Sequence, residues 1–258
     1  MIVDSHCHAS TRWYQPVESL LFEMDRHGVD RAVLVQLLGA FDNCDMIAAV
    51  RAHPDRFVFV AALAPDRMNR RGVCAARGEG AAGLRLRGCA PAEVWQAAAE
   101  MGLAVSVAGP AASFVDGAIA RVAEAHPGLV IVLEHLGGLA RPDTGDRAAT
   151  LVPLLALARF ANIQIKLPGL GQLAPRLPRI DGEAMPLDMA GVGSIVGSVV
   201  EAFTPDRMMW GSDYPPVAAR EGYGHALGWP RALLEPLGAS ACAALFGGTA
   251  ARSFGLAG

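Results

Sequence analysis

At 258 residues, 52% of them hydrophobic, with a net charge of −3, the chain can bury one large core and lacks the basic footprint of a nucleic-acid binder. No apolar run of about 18 residues goes unbroken, no basic leader precedes the first apolar segment, and the five cysteines never fall in Cys-x-x-Cys spacing. The expectation is a reduced, cytoplasmic, unprocessed protein that binds neither nucleic acid nor membrane.

Short apolar runs alternate along the chain with segments of helical period. The strand candidates are 2–8, 31–36, 57–62, 83–87, 104–108, 130–135, 163–167 and 208–213. Helix candidates between them include 17–27, with Leu20, Leu21 and Met24 on one face, and 92–101, with Val94, Trp95 and Ala98. Strand followed by helix, eight times over, predicts a single parallel (β/α)8 TIM barrel across residues 1–258.

The first strand carries Asp4-Ser5-His6-Cys7-His8. Strand alternation puts Asp4, His6 and His8 on one face and Ser5 and Cys7 on the other. Two imidazoles about 7 Å apart at their Cα atoms, by strand rise, can turn onto one divalent cation. Three other histidines, His27, His53 and His126, stand at predicted helix ends before Gly or Pro. There they meet exposed carbonyls and the negative end of the dipole, so their expected role is structural. His135 and His225 remain.

The same alternation sorts the later strands. With Leu84 and Leu86 packed outward, Arg85 and Arg87 face the barrel axis; with Ile163, Ile165 and Leu167 outward, Gln164 and the single lysine, Lys166, face inward. Asp213 shares the parity of Gly211, and His135 ends its strand. His6, His8, Arg87, His135, Lys166 and Asp213 therefore converge at the carboxyl ends of strands, where barrel active sites are built. Three ring nitrogens and a carboxylate are the donor set of a catalytic zinc or manganese ion with a position open for water. The competing arrangement is a salt-bridged plug in which Arg87 or Lys166 neutralises Asp213 and no metal enters. After the seventh strand, residues 168–191 are rich in Pro and Gly and predict a lid or specificity loop.

Together with Val130-Ile131-Val132-Leu133-Glu134-His135-Leu136-Gly137-Gly138, Ile165-Lys166-Leu167-Pro168-Gly169-Leu170 and Trp210-Gly211-Ser212-Asp213-Tyr214-Pro215, the opening motif resembles the amidohydrolase superfamily. The branch is amidohydrolase 2, the TIM-barrel metal-dependent hydrolases, and within it the pattern is closest to the lactonase-like group. The resemblance implies one divalent metal, zinc or manganese, held by His6, His8, His135 and Asp213. Some members of that group work without bound metal, so metal-free activity stays open. The resemblance further implies Asp213 as proton acceptor and His135 as its catalytic companion. A small cyclic ester bearing a carboxylate or several hydroxyls would then meet Arg85, Arg87, Lys166 and Tyr214. The two-metal members place a carboxylated lysine on the fourth strand; this chain has Arg87 there, and its fifth strand offers only Ser106, which implies a single ion. Thr249 stands where the family commonly has Asn. Two other functions remain in view: a non-oxidative decarboxylase of an aromatic or muconate-type acid, whose branch usually adds a histidine on a middle strand, and an inactive barrel serving as a binding protein. Exposed apolar helix faces in so Ala-rich a chain permit a homodimer.

Overall fold

The computed structural model describes residues 1–141, 145–174, 177 and 187–256. Its strands are β1 (Val3–Cys7), β2 (Arg31–Val35), β3 (Phe57–Ala61), β4 (Gly83–Leu86), β5 (Ala104–Val107), β6 (Ile131–Leu133), β7 (Ile163–Pro168) and β8 (Met208–Gly211). They pair in parallel in sequence order. Past β8 the chain returns to β1: the Asp213 amide donates to the His6 carbonyl (2.8 Å) and the His8 amide to the Tyr214 carbonyl (2.8 Å). The result is a (β/α)8 barrel.

Helices α1 (Val17–His27), α2 (Cys44–Ala52), α3 (Arg70–Gly78), α4 (Ala92–Glu100), α5 (Ala112–Val115), α6 (Ala118–Ala125), α7 (Arg147–Leu155), α8 (Val192–Phe203), α9 (Tyr223–Leu234), α10 (Ala239–Ala243) and α11 (Thr249–Phe254) lie between and after the strands. His27 ends α1, and His53 and His126 follow the last residues of α2 and α6, as the Gly and Pro stops predict. Leu34, Phe57, Phe59, Leu84, Leu86, Ile163, Ile165 and Leu167 pack outward in the core beneath the helices. A second apolar cluster fills the lower interior: Val3, Val33, Val35, Val60, Ala104, Val132 and Met209, with Ala250, Phe254 and Leu256 in and after α11. That helix closes the floor, where Ser253 donates to Gln164 (2.6 Å) and Arg31 to the Leu256 carbonyl. Thr249 is buried at its start, its hydroxyl donating to the Pro205 carbonyl. Among the described residues no helix is long and apolar enough to cross a membrane.

Strand β1 departs from simple alternation. Asp4 pairs with Ala32 and Cys7 with Leu34, so three steps on β1 oppose two on β2. Such a bulge shifts parity by one. Asp4 does not share a face with His6 and His8: its carboxylate accepts from the Ser212 amide (2.9 Å), the Ser212 hydroxyl (2.6 Å), the Tyr223 hydroxyl (3.0 Å) and the His6 amide (3.1 Å). Cys7 packs outward, and His6 and His8 turn into the barrel.

Candidate active site

Above the apolar floor the interior turns polar. Arg85 from β4 grips Glu134, just past β6, through Nε (3.0 Å) and Nη2 (2.6 Å), and its Nη1 donates to the Gln36 carbonyl (2.8 Å). The Ser106 hydroxyl from β5 donates to Glu134 Oε1 (2.7 Å) and accepts from Lys166 Nζ of β7 (3.0 Å), which lies 3.1 Å from His6 Nδ1. Burial alone would raise the Glu134 pKa, but the charges of Arg85 and Lys166 outweigh it and hold the carboxyl at about 2. Burial pushes Lys166 down to about 8 against the pull of Glu134.

The three imidazoles meet beside this network. The His6 ring centroid is 5.0 Å from that of His8 and 4.8 Å from that of His135. Burial depresses the pKa of His6, helped by the Lys166 charge, and burial likewise depresses that of His135, so both rings favour the neutral form. The His8 Nδ1 sits 2.6 Å from the Val35 carbonyl, an acceptor that fixes the proton there and leaves Nε2 bare. His135 Nδ1 lies 2.9 Å from Gln172 Oε1, and the same amide donates from Nε2 to Asp213 Oδ2 at 2.6 Å. Arg220 Nη1 donates to that oxygen at 3.2 Å. Burial works to raise the Asp213 pKa, but the neighbouring His8 and His135 rings and the Arg220 guanidinium hold it at about 2. The free oxygen, Oδ1, is 3.5 Å from His8 Nε2 and 3.9 Å from His6 Nε2.

Backbone conformation delivers two of these side chains. His135, Leu136, Gly137 and Gly138 all have positive φ (50°, 52°, 60° and 81°), and Asp213 has φ 59°. Non-glycine residues rarely adopt this region, and such strain gathers at functional sites. Alternation from Ile131 and Leu133 would send His135 outward; the left-handed turn brings its ring back to His6.

One donor set suits a cation. His6, His8 and Asp213 offer ligand atoms within 4.8 Å of one another, as do His6, Glu134 and His135. The second set is compromised, because Arg85 already holds both Glu134 oxygens. In the first, His6 Nε2 is buried with no hydrogen-bond partner among the described residues. An orphaned nitrogen facing a bare nitrogen and a carboxylate oxygen fits a divalent metal.

Six expected residues come together: His6, His8, Arg85, His135, Lys166 and Asp213. Arg87 does not; β4 ends at Leu86, a turn follows in which the Ala90 amide donates to the Arg87 carbonyl (3.0 Å), and the side chain is exposed. Tyr214 points away: its ring stands 5.8 Å from that of Tyr223 on α9. Nor is Asp213 neutralised by Arg87 or Lys166, since Arg220 takes that place. His225 stacks on Trp229 at 4.5 Å within α9. The residues missed in the sequence are Glu134, Gln172 and Arg220. Glu134 was legible, sharing the inward parity of Val132, whereas Gln172 and Arg220 sit on loops without period. Of the expected lid at 168–191, residues 175, 176 and 178–186 lie outside those described.

Comparison with known proteins agrees with this architecture. No curated protein matches the chain. Among solved structures, a candidate 2-pyrone-4,6-dicarboxylic acid hydrolase from Pseudomonas putida superposes with TM-score 0.78 at 23% identity, covering 99% of this chain and 98% of its own. A zinc-bound amidohydrolase from Burkholderia multivorans gives TM-score 0.78 at 20% identity, with 99% of both chains covered. A 5-carboxyvanillate decarboxylase from Sphingomonas paucimobilis gives 0.66 at 18%, with 98% of both covered. These likenesses establish the fold, and the family follows from the sequence: the amidohydrolase model matches residues 3–256, so the chain belongs to the amidohydrolase family of enzymes.

Proposed function

We propose that the protein is a hydrolase opening a cyclic ester that bears a carboxylate, with one divalent metal, zinc before manganese, held by His6, His8 and Asp213 beside His135. The observation that carries this reading is the convergence of His6 Nε2, His8 Nε2 and Asp213 Oδ1, the first an orphan and the second bared by the Val35 carbonyl. A metal at this position lowers the pKa of a bound water and polarises an ester carbonyl. Asp213 Oδ1 accepts the proton of the attacking water, while Oδ2 stays held by Gln172 and Arg220, and the proton then passes to the leaving alkoxide. Arg85 is committed to Glu134 and the Gln36 carbonyl, which leaves Lys166 within the barrel to meet a substrate carboxylate.

The name of the Pseudomonas structure supports the lactone reading, and the zinc of the Burkholderia one supports the metal. Decarboxylase neighbours keep the second chemistry in contention. Against it, the histidines beyond His6, His8 and His135 lie at helix ends or on Trp229, so no additional ring reaches the site from a middle strand among the described residues. A panel of lactones and aromatic acids decides: ring opening to a hydroxy acid without release of carbon dioxide supports hydrolysis, and carbon dioxide release overturns it.

Two variants test the parts. Changing both His6 and His8 to Ala should abolish zinc uptake measured by elemental analysis; retention of one equivalent would place the metal elsewhere. Lys166→Met keeps bulk without charge, and an anionic lactone should lose about 1.5 to 3 kcal/mol of binding, the range for charged hydrogen bonds. A neutral lactone should lose less, and equal losses would remove Lys166 from carboxylate recognition.

A further inference from the structure

Gln172 is neither part of the metal donor set nor the cation facing substrate, yet it is hydrogen-bonded to both candidate catalytic side chains. Its Oε1 accepts from His135 Nδ1 (2.9 Å) and its Nε2 donates to Asp213 Oδ2 (2.6 Å). An amide has one accepting end and one donating end, so this pair of bonds is satisfied in one orientation only: His135 carries its proton on Nδ1, and Asp213 presents a carboxylate oxygen. Each neighbour thus dictates the state of the other through the amide.

The turn carrying Gln172 is itself anchored. It follows β7 as a single tight turn, Leu170–Gln172, in which the Gln172 amide donates to the Gly169 carbonyl (3.1 Å). The Gly171 amide donates to Glu221 Oε1 (3.2 Å), and Glu221 Oε2 accepts from Arg220 Nε (3.3 Å). Arg220 then reaches Asp213 Oδ2, the oxygen that Gln172 also holds. Asp213, Gln172, Gly171, Glu221 and Arg220 form a closed ring of contacts that ties the loop after β7 to the loop after β8. Side chains at Gly169 or Gly171 would collide with the Glu221 carboxylate, so the two glycines allow the loops to close on each other.

We infer that Gln172 is a positioning residue that sets the tautomer of His135 and the rotamer of Asp213 together, so the loop after β7 governs the chemistry as well as substrate choice. The inference rests on the proposed function only for the roles of His135 and Asp213; the tautomer itself is independent of any substrate. A locked His135 exposes Nε2 toward the site, and an Asp213 held at Oδ2 keeps Oδ1 toward His6 and His8.

The test uses the full-length protein with Gln172→Met, which removes both bonds, and Gln172→Glu, which keeps the acceptor for His135 and replaces the donor to Asp213 with a second carboxylate. Long-range 1H–15N spectra of the imidazoles read the His135 tautomer directly. Wild type and Gln172→Glu should show the proton on Nδ1, and Gln172→Met should lose that preference. On a confirmed substrate, both variants should lower kcat by about 10- to 100-fold, the range for outer-sphere partners of site residues, with KM within about threefold of wild type. An Nε2-protonated His135 in wild type, or an unchanged tautomer in Gln172→Met, overturns the inference even if no lactone is ever turned over. A tautomer that shifts without loss of kcat overturns the catalytic half of it. Should Gln172→Met fail to fold, the wild-type spectrum decides, because a proton on His135 Nε2 contradicts the assigned tautomer.

Discussion

Asp213→Asn should lower kcat at least about 100-fold, the lower end of what a positioned acid–base group contributes, and leave the fold intact. The carboxyl is held at about 2, so it is anionic at any working pH and offers Oδ1 as a proton acceptor. Asparagine keeps the shape and removes the basicity. It also forces a choice at the other oxygen, where Gln172 and Arg220 both donate: a side-chain NH2 turned that way meets two donors, and turned the other way it faces the histidines. Steady-state turnover on a confirmed lactone, with circular dichroism and a melting curve as controls, makes the measurement. Near-normal kcat would refute the role of Asp213 whatever the metal content.

The largest loss of stability is expected from Glu134→Leu, about 3–5 kcal/mol, the cost of removing one partner from a buried ion pair. Glu134 is fully enclosed and is the carboxylate partner of the buried Arg85 side chain, while also accepting from Ser106. Without it, Arg85 and Lys166 are two cations in an apolar-walled cylinder. The double variant Arg85→Leu, Glu134→Leu should recover most of the loss, since replacing a whole buried pair by apolar side chains is often close to neutral. Urea denaturation of both single variants and the double closes the cycle. A single variant within about 1 kcal/mol of wild type, the ordinary effect of a point substitution, would show that the pair is not integral to the barrel.

The regular parts of this molecule were legible because they obey one rule. In β4 and β7 the pairing is unbroken, so alternation alone turned Arg85, Gln164 and Lys166 inward and Leu84 and Ile165 outward. The rule failed wherever the backbone stopped being a plain strand. A bulge in β1 separated Asp4 from the histidines; the end of β4 released Arg87 to the rim; and past Asp213 the turn carried Tyr214 to Tyr223 on α9. His135 reached the site by a left-handed turn that no parity argument contains. Gln172 and Arg220 were invisible for a different reason: their positions depend on two loops packing against each other, a contact fixed by Glu221 and two glycines distant in sequence. Residue chemistry located the histidines and the aspartate, but their orientation is a tertiary property.

The floor formed by α11 has a consequence for biosynthesis. Strand β1, which bears His6 and His8, packs against that helix and closes the barrel along β8. A ribosome that has translated the histidine strand must therefore synthesise residues through 249–256 before the interior cluster around Val3 can be completed. Until then the nascent chain holds a first strand whose neighbour across the closure, β8, is made late and whose floor at α11 is made last. Contacts between ends so far apart in sequence form late and slowly. Chaperone dependence during translation should accordingly concentrate on the opening segment, and a stop codon just before α11 would strand the whole barrel in that state.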